Sequence, residues 1–343
     1  MRLLVIGGTV FLGRHIAEAA LARGHELTLF NRGHSSPGGF PGAECLTGDR
    51  EKDLSALAGR RWDSVIDTCG YLPRVVRASA KFLAGQVERY VFVSSAAIYE
   101  PPPDETGVLT EESPVLRPDP PDSEDVARNY GALKARCEQA VLDELPGRAL
   151  SIRPGLIVGP LDPTGRFTYW VRRIAAGGKI LAPGPPDRAV QFVDVRDLAA
   201  WIVEMAEKGR TGVFNAAAPP LPLAAVLLAC RAEVGGAAEF VWVTEEFVLG
   251  HGLVPFLELP LWLPRSQSGL LRMDATRPAR AGLHARPLAA TVRDTLRWLR
   301  ANPSTPVAGL DREKETALLH DWKARRQDVV RSPDPGLPPP EGS

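Results

Sequence analysis

A tyrosine and a lysine four residues apart have the spacing and the chemistry of an acid/base pair. Tyr130 and Lys134 stand in the stretch NYGALK, and residues four apart lie on one face of a helix. An ammonium group beside a phenol favours the phenolate, by roughly 4 kcal/mol at about 4 Å and an effective dielectric of about 20, or about three pKa units. The spacing therefore predicts that Lys134 lowers the pKa of Tyr130 towards the range that suits proton transfer.

A serine upstream completes a candidate catalytic set. Ser95 stands in VFVSSAAIY, where an apolar run typical of a buried strand ends. A hydroxyl at the carboxyl end of a strand is placed to hydrogen-bond a carbonyl that is being polarised. We therefore expect Ser95, Tyr130 and Lys134 to act together, although an ordinary amphipathic helix with a solvated lysine would also explain the pair alone.

The N-terminal stretch GGTVFLG has the context of a dinucleotide-binding turn, because an apolar run precedes it and a helical pattern follows it. The amides at the start of that helix would face a pyrophosphate. Val10 stands where the fuller pattern has a glycine, and its side chain is expected to shift the phosphates outward. A turn that uses glycine for packing alone is the alternative. The residues predicted to contact the cofactor here are Gly7, Thr9, Val10, Phe11, Leu12 and Gly13.

The end of the second predicted strand favours NADP(H) over NAD(H). An acidic residue there would accept a hydrogen bond from the ribose 2′-hydroxyl, and the stretch LFNRG has none. Arg32, next to Asn31, is suited to pair with a 2′-phosphate, with a solvated turn residue as the alternative. Asp49 and Arg50 follow the third strand, and Asp49 would either contact the adenine amino group or cap the next helix.

Together these motifs resemble the extended short-chain dehydrogenase/reductase superfamily, in its NAD-dependent epimerase/dehydratase group. The matching stretches are GGTVFLG, GD at 48–49, VFVSSAAIY, YGALK, RPGLIVGP and QFVDVRDLA, in that order over residues 1 to about 200. The resemblance implies that Tyr130 is the acid/base, that Lys134 assists it and binds the nicotinamide ribose, and that Ser95 orients the substrate. The further cofactor-contacting positions that it implies are Cys69, Gly70 and Pro154.

Two departures from the family pattern bear on the substrate. Val190 stands where sugar-nucleotide members often carry an arginine that helps to bind the diphosphate, and Arg188 is two residues away. A sugar or sugar nucleotide therefore stays one candidate substrate among others. Tyr130 follows Ser95 by 35 residues, longer than is usual for the family. The proline-rich stretch 101–125 accounts for this spacing as an insertion over the working edge of the sheet, where it would act as a lid.

Strands alternate with helical stretches along the first half of the chain, which predicts a parallel sheet with helices on both faces. We expect an α/β fold with a Rossmann-type doubly wound parallel sheet and a smaller, mostly helical C-terminal substrate-binding region. The predicted strands are Leu3–Ile6, Glu26–Phe30, Glu44–Leu46, Ser64–Asp67, Tyr90–Val93 and Leu150–Ile152. The predicted division is a dinucleotide-binding domain at 1–155 with 190–215 returning to it, a substrate-binding region at 156–189 and 216–328, and a disordered tail at 329–343.

Composition excludes several classes of function. The 343 residues carry 41 basic and 41 acidic side chains, so the basic surface typical of nucleic-acid binding is not expected. No apolar stretch is long enough for a transmembrane helix, and no secretory signal is recognisable. The four cysteines and six histidines show no ligand spacing, which predicts a cytoplasmic protein without a metal site. A homodimer is the assembly that the family resemblance suggests.

Aromatic residues cluster among prolines in the second half, at Trp242, Phe247, Phe256 and Trp262. They could line an apolar substrate pocket, but packing in a core is the interpretation that we favour.

The predicted function is an NAD(P)-dependent enzyme that transfers a hydride at a carbinol or carbonyl carbon, with net reduction favoured over epimerisation or dehydration. Two other classes stay open. The GGTVFLG and LFNRG stretches also resemble an atypical branch that includes chloroplast stem-loop RNA-binding proteins. A regulator that binds NADP without turning it over is the third hypothesis.

Overall fold

The computed structural model describes residues 1–34, 40–102, 106–235 and 237–331. The predicted disordered tail lies outside these residues from position 332 onward, and the last helix continues through Arg331. No helix in the described ranges is long and apolar enough to cross a membrane.

Thirteen strands and ten α-helices make up the described chain. The strands are β1 Arg2–Ile6, β2 Glu26–Asn31, β3 Glu44–Thr47, β4 Trp62–Asp67, β5 Val87–Val93, β6 Ala149–Pro154, β7 Leu156–Val158, β8 Gly178–Pro183, β9 Ala189–Val190, β10 Phe192–Asp194, β11 Gly212–Ala216, β12 Leu221–Pro222 and β13 Ala238–Val243. The helices are α1 Phe11–Ala22, α2 Pro73–Leu83, α3 Val126–Glu144, α4 Arg166–Ala175, α5 Val195–Glu207, α6 Leu223–Val234, α7 Glu245–Gly250, α8 Thr276–Arg280, α9 Leu288–Ala301 and α10 Arg312–Arg331.

Seven strands form the central sheet, in the order β11-β6-β5-β4-β1-β2-β3. Every neighbouring pair in it is parallel. Each predicted strand is present, and β11 adds a seventh that the sequence did not reveal. The strand order reverses between β1 and β4, and in open α/β sheets ligands bind outside the carboxyl ends of the strands at such a point.

Apolar side chains cover both faces of this sheet. Helices α1 and α5 pack on one face, where Ile16 and Ile202 are fully buried. Helices α2 and α3 pack on the other, where Val76 and Val141 are fully buried. Because both faces are covered, the strands read as continuous apolar runs, and this is why they could be located in the sequence.

The remaining elements build a second apolar core of their own. Helices α4, α6 and α9 pack together, and β8 pairs with β13 in a separate two-stranded sheet. Trp170 and Trp262 are fully buried there, each with its indole N–H donating to a backbone carbonyl. The predicted fold class is therefore confirmed, a doubly wound parallel sheet with a smaller, mostly helical C-terminal region.

The long loop before α3 is fastened at several points. Leu109 exchanges backbone hydrogen bonds with Arg272 and Asp274, and the Leu116 amide donates to Ile98. A buried arginine, Arg153, donates to the Glu111 carbonyl. These contacts fasten the described part of the loop to neighbouring segments of the chain, and its action as a lid stays a prediction.

Candidate functional site

A cleft runs along the carboxyl edge of the sheet and consists of two adjoining cavities. One, of about 660 Å³, lies over the glycine turn and the ends of β2 and β3. The other, of about 940 Å³, lies over the ends of β5 and β6 and reaches into the C-terminal region. Phe11, Leu12, Thr68 and Tyr71 line both cavities. One elongated ligand can therefore extend from one cavity into the other.

The glycine turn requires a residue without a side chain at its first position. Gly7 has a φ of +103°, and a Cβ added to it would lie 2.4 Å from Thr68 Oγ1. That hydroxyl donates to the Ile6 carbonyl and so holds the end of β4 against the end of β1. The positive φ of Gly7 is that of a tight turn, which is the conformation that the sequence predicted glycine would permit there.

The N-terminus of α1 is open towards the first cavity. Val10 is its N-cap residue, and no side chain caps the helix or places an acid in its first turn. Thr9, Leu12 and Gly13 line the cavity beside it, and Phe11 has a φ of +38°, which is rare for a residue with a side chain. Because Val10 is 55% exposed on the rim, its side chain leaves the helix amides accessible to an anion.

Arg32 lines this cavity as a cation without an ion pair in the described chain, and its charge helps to lower the pKa of Asp49. Its side chain is exposed and makes no hydrogen bond or ion pair with any residue that the structure describes. Asn31 shapes the turn before it by accepting from the Gly33 amide at 2.8 Å. Asp49 also lines the cavity, but its carboxylate accepts from the Glu51 amide at 3.1 Å. Asp49 therefore closes a turn after β3 instead of capping the next helical segment, and its contact with an adenine amino group stays a prediction.

Arg50 contributes to the floor of the site rather than to its surface. Its guanidinium donates to both carboxylate oxygens of Asp67, at 2.6 and 2.8 Å, and Tyr90 donates to the same carboxylate at 2.8 Å. Although burial opposes ionisation of both partners, the ion pair lowers the pKa of Asp67. The guanidinium of Arg50 is therefore committed to the protein beneath the glycine turn.

Ser95 and Tyr130 meet because α3 lies directly on the short helical turn that follows Ser95. A Cβ added to Gly131 would lie 1.9 Å from the Ala97 carbonyl oxygen. Burial raises the pKa of Tyr130, and a side-chain hydrogen bond with Ser95 opposes the rise. Tyr130 is still 37% exposed and faces the second cavity. The phenol thus stays protonated at neutral pH and is open to a ligand.

Lys134 does not act on Tyr130 in the way that its spacing predicts. Its ammonium donates to the Gly70 and Val93 carbonyls at 2.9 and 2.6 Å, and it is not among the groups that shift the pKa of Tyr130. It is 2% exposed, and burial lowers its own pKa to about 8. The predicted lowering of the tyrosine pKa is therefore wrong, because backbone carbonyls hold the lysine against the sheet.

The other expected positions lie along the same cleft. Cys69 lines the first cavity and Pro154 the second, while Gly70 contributes its carbonyl to Lys134. Sequence reasoning missed Tyr71, whose ring centre lies 6.4 Å from that of Tyr130. Its position in the sequence, just beyond the loop after β4, is the signal that could have identified Tyr71 as a residue of the site.

Arg166 and Phe256 were also missed as a pair, because a contact between residues so distant in sequence has no local signal. The Arg166 guanidinium lies 4.5 Å from the centre of the Phe256 ring, in the second cavity. Of the aromatics considered, Phe247 and Trp262 are core residues, as favoured, whereas Phe256 lines this cavity.

Substitution of Gly131 should disrupt the site before it unfolds the protein. In Gly131→Ala the added methyl group must displace α3 from the Ala97 carbonyl, with a loss of about 1–3 kcal/mol in the free energy of unfolding. Denaturant titration measures this loss. Gly85→Ala is the matched control, since a Cβ there meets nothing within 4 Å. An equal effect of both substitutions would contradict the close approach.

The buried ammonium of Lys134 should make stability depend on pH. Its folded-state pKa, about 8, lies below the ordinary lysine value of 10.5. The folded protein therefore releases this proton first, and stability should rise from pH 8 to pH 10.5, by at most about 3 kcal/mol.

Urea titrations of the wild type and Lys134→Met over this range measure the difference. The variant should lack the rise, whereas Lys81→Met, which changes an exposed lysine, should follow the wild type. A rise that persists in Lys134→Met would contradict the assignment.

Comparison with known proteins places this geometry in context. The model of the NAD dependent epimerase/dehydratase family matches residues 62–217. The chain is 26% identical over 237 residues to chloroplast stem-loop binding protein of 41 kDa b from Arabidopsis thaliana, and 28% identical over 237 residues to the epimerase family protein SDR39U1 from Bos taurus. These alignments cover 62% and 64% of the chain. They span 58% of the Arabidopsis protein and 75% of the bovine one.

Solved structures share the fold. The Bordetella bronchiseptica enzyme WbmG, determined in complex with NAD and UDP, superposes with a TM-score of 0.66 at 19% identity. The superposition covers 90% of this chain and 98% of that one. The motifs and the sheet order agree with the family match, so the predicted resemblance to the NAD dependent epimerase/dehydratase family is confirmed over residues 62–217, a little under half of the chain.

Proposed function

We propose that the chain is an NAD(P)-dependent oxidoreductase that acts on a carbinol or carbonyl carbon, with NADP(H) preferred and net reduction favoured. The main observation that supports the proposal is that the two cavities adjoin and form one continuous cleft. Ser95, Tyr130 and Lys134 lie in one, and the open N-terminus of α1 and the free Arg32 lie in the other. A dinucleotide is elongated and anionic, and both properties match the cleft.

The cofactor cradle fits a dinucleotide on three grounds. Gly7 packs closely against Thr68, where a side chain would not fit, and the turn that it forms lines the first cavity. The uncapped amides of α1 suit a pyrophosphate. Arg32 suits a 2′-phosphate, and in the described ranges no carboxylate pairs with it. When bound, the nicotinamide would supply or accept the hydride.

Tyr130 would donate the proton in reduction. Because burial keeps its phenol protonated at neutral pH, it can give its proton to the substrate oxygen while Ser95 hydrogen-bonds the same oxygen. An ammonium group has three N–H donors, and Lys134 uses two of them on backbone carbonyls. We assign the third to the nicotinamide ribose. Lys134 thereby acts as a fixed hydrogen-bond donor and not as an electrostatic partner of the phenol.

A nucleotide sugar is the substrate class that the bound UDP of WbmG suggests. In this chain Arg188 is engaged with Glu245 at 2.8 Å, and Val190 is buried and apolar. Neither position therefore offers a diphosphate a free cation. RNA binding is not favoured, since the formal net charge is zero. A non-catalytic sensor is not favoured either, since the phenol of Tyr130 is open to a ligand.

The Arg32→Ala substitution should reduce the affinity for NADPH by roughly 10- to 100-fold, the value of a hydrogen-bonded charge pair, and leave that for NADH unchanged. Fluorescence titration of each nucleotide measures both. Arg60→Ala removes a partly buried arginine outside the two cavities and should change neither affinity. Equal losses for both nucleotides would refute the preference for NADP(H). If the wild-type protein binds neither NADPH nor NADH, the proposal that it is an NAD(P)-dependent enzyme is refuted.

The Tyr130→Phe substitution should separate binding from chemistry. Without the hydroxyl, kcat for NADPH-dependent reduction of an aldehyde should fall by about 10²- to 10⁴-fold while the Kd for NADPH stays unchanged. Steady-state kinetics and fluorescence titration measure the two quantities. A variant that retains the wild-type kcat would exclude Tyr130 as the proton donor.

A further inference from the structure

Arg166 differs in its contacts from the other arginines that are buried. Half-buried at the start of α4, it makes no guanidinium hydrogen bond or ion pair with any described residue, and it stacks 4.5 Å from the Phe256 ring centre. Burial lowers its pKa, and the charge of Asp162, which forms no ion pair with it, opposes the fall only in part. Three buried arginines instead meet a carboxylate, at 2.6, 2.7 and 2.7 Å, in the pairs Arg50–Asp67, Arg153–Glu138 and Arg173–Glu315.

The nearest acid along the chain does not neutralise Arg166. Asp162 is 1% exposed and uses one carboxylate oxygen to accept from the amide and hydroxyl of Thr164. Its other oxygen has no hydrogen-bond partner in the structure, yet it does not reach the guanidinium to form an ion pair. The positive charge of Arg166 is thus left for a ligand.

The cavity around Arg166 is otherwise mainly apolar. Its volume is about 940 Å³, and among the described residues its charged lining groups are Arg166 and Lys134. Lys134 is already committed to two carbonyls, so Arg166 is the free cation there. Apolar side chains form most of the wall of this cavity, among them Leu261, Leu263, Leu271 and Met273.

We infer that the substrate of this site is a small molecule with an apolar body and one anionic group, a carboxylate, which Arg166 binds while the reacting carbon lies at Tyr130. One free guanidinium offers a bidentate site for one carboxylate. A nucleoside diphosphate carries more charge than this cavity compensates, and Arg188 is already paired with Glu245. Burying the apolar body against the leucine-rich wall would contribute further affinity.

This inference deepens the proposed function and rests on it for the reaction, but binding tests it without turnover. Isothermal titration calorimetry with the full chain compares three probes, 4-(hydroxymethyl)benzoate, benzyl alcohol and UDP, with and without NADP⁺. The carboxylate should bind 10- to 100-fold more tightly than benzyl alcohol. Arg166→Met should abolish this difference, and Arg166→Lys should keep part of it. Arg172→Met, which changes another arginine of α4 outside both cavities, should retain it.

Several results would overturn the inference. They are equal affinities for the acid and the alcohol, no binding of either, a difference that survives Arg166→Met, or tighter binding of UDP than of the carboxylate. If the wild-type protein does not bind NADP⁺, that result refutes the proposed function instead. The preference for the carboxylate is measured without the nucleotide as well, so the two failures are distinguishable.

Discussion

The close approach of α3 to the turn after β5 is the contact on which the candidate site depends. Gly131 lets the helix backbone lie against the Ala97 carbonyl, where even a methyl group would overlap it. Ser95 begins that turn and Tyr130 precedes the glycine, so the contact fixes both hydroxyls relative to each other. Lys134, one helical turn further on, reaches the sheet and hydrogen-bonds carbonyls after β4 and at the end of β5. Three side chains distant in sequence are thus positioned by one backbone contact.

Burial of charge follows one rule through most of the molecule. A buried ion without a partner is costly, so the fold places a carboxylate beside most buried arginines. Arg153, which is paired with Glu138, also donates to the Glu111 carbonyl and so fastens the loop before α3 to β6. Arg166 departs from the rule, and it does so inside a cavity. Perturbed, unpaired charges of this kind cluster at functional sites.

The sequence predicted the features that depend on residues close together along the chain. Apolar runs predicted the strands of the central sheet because both of its faces are buried, and GGTVFLG predicted a turn that Gly7 requires. Helical spacing placed Tyr130 and Lys134 on one face, but it could not show that two carbonyls from other strands bind the ammonium. The meeting of Arg166 with Phe256 was equally inaccessible, since it depends on packing between segments about 90 residues apart.

Backbone strain is concentrated around the cleft. In the described chain the residues other than glycine with positive φ are Phe11, Leu161, Phe256 and Leu261. Three of them line the cavities, and Leu161 adjoins Asp162 and Pro163 at their junction. Such conformations cost of order 1–3 kcal/mol each. A glycine at one of these positions would relieve the backbone strain and remove a side chain at the same time. At Leu261, which is fully buried, the lost packing would outweigh the relief, because deletion of a buried leucine side chain costs about 2–5 kcal/mol. The side chain that the strained backbone places in the cavity wall is therefore also what keeps that backbone in place.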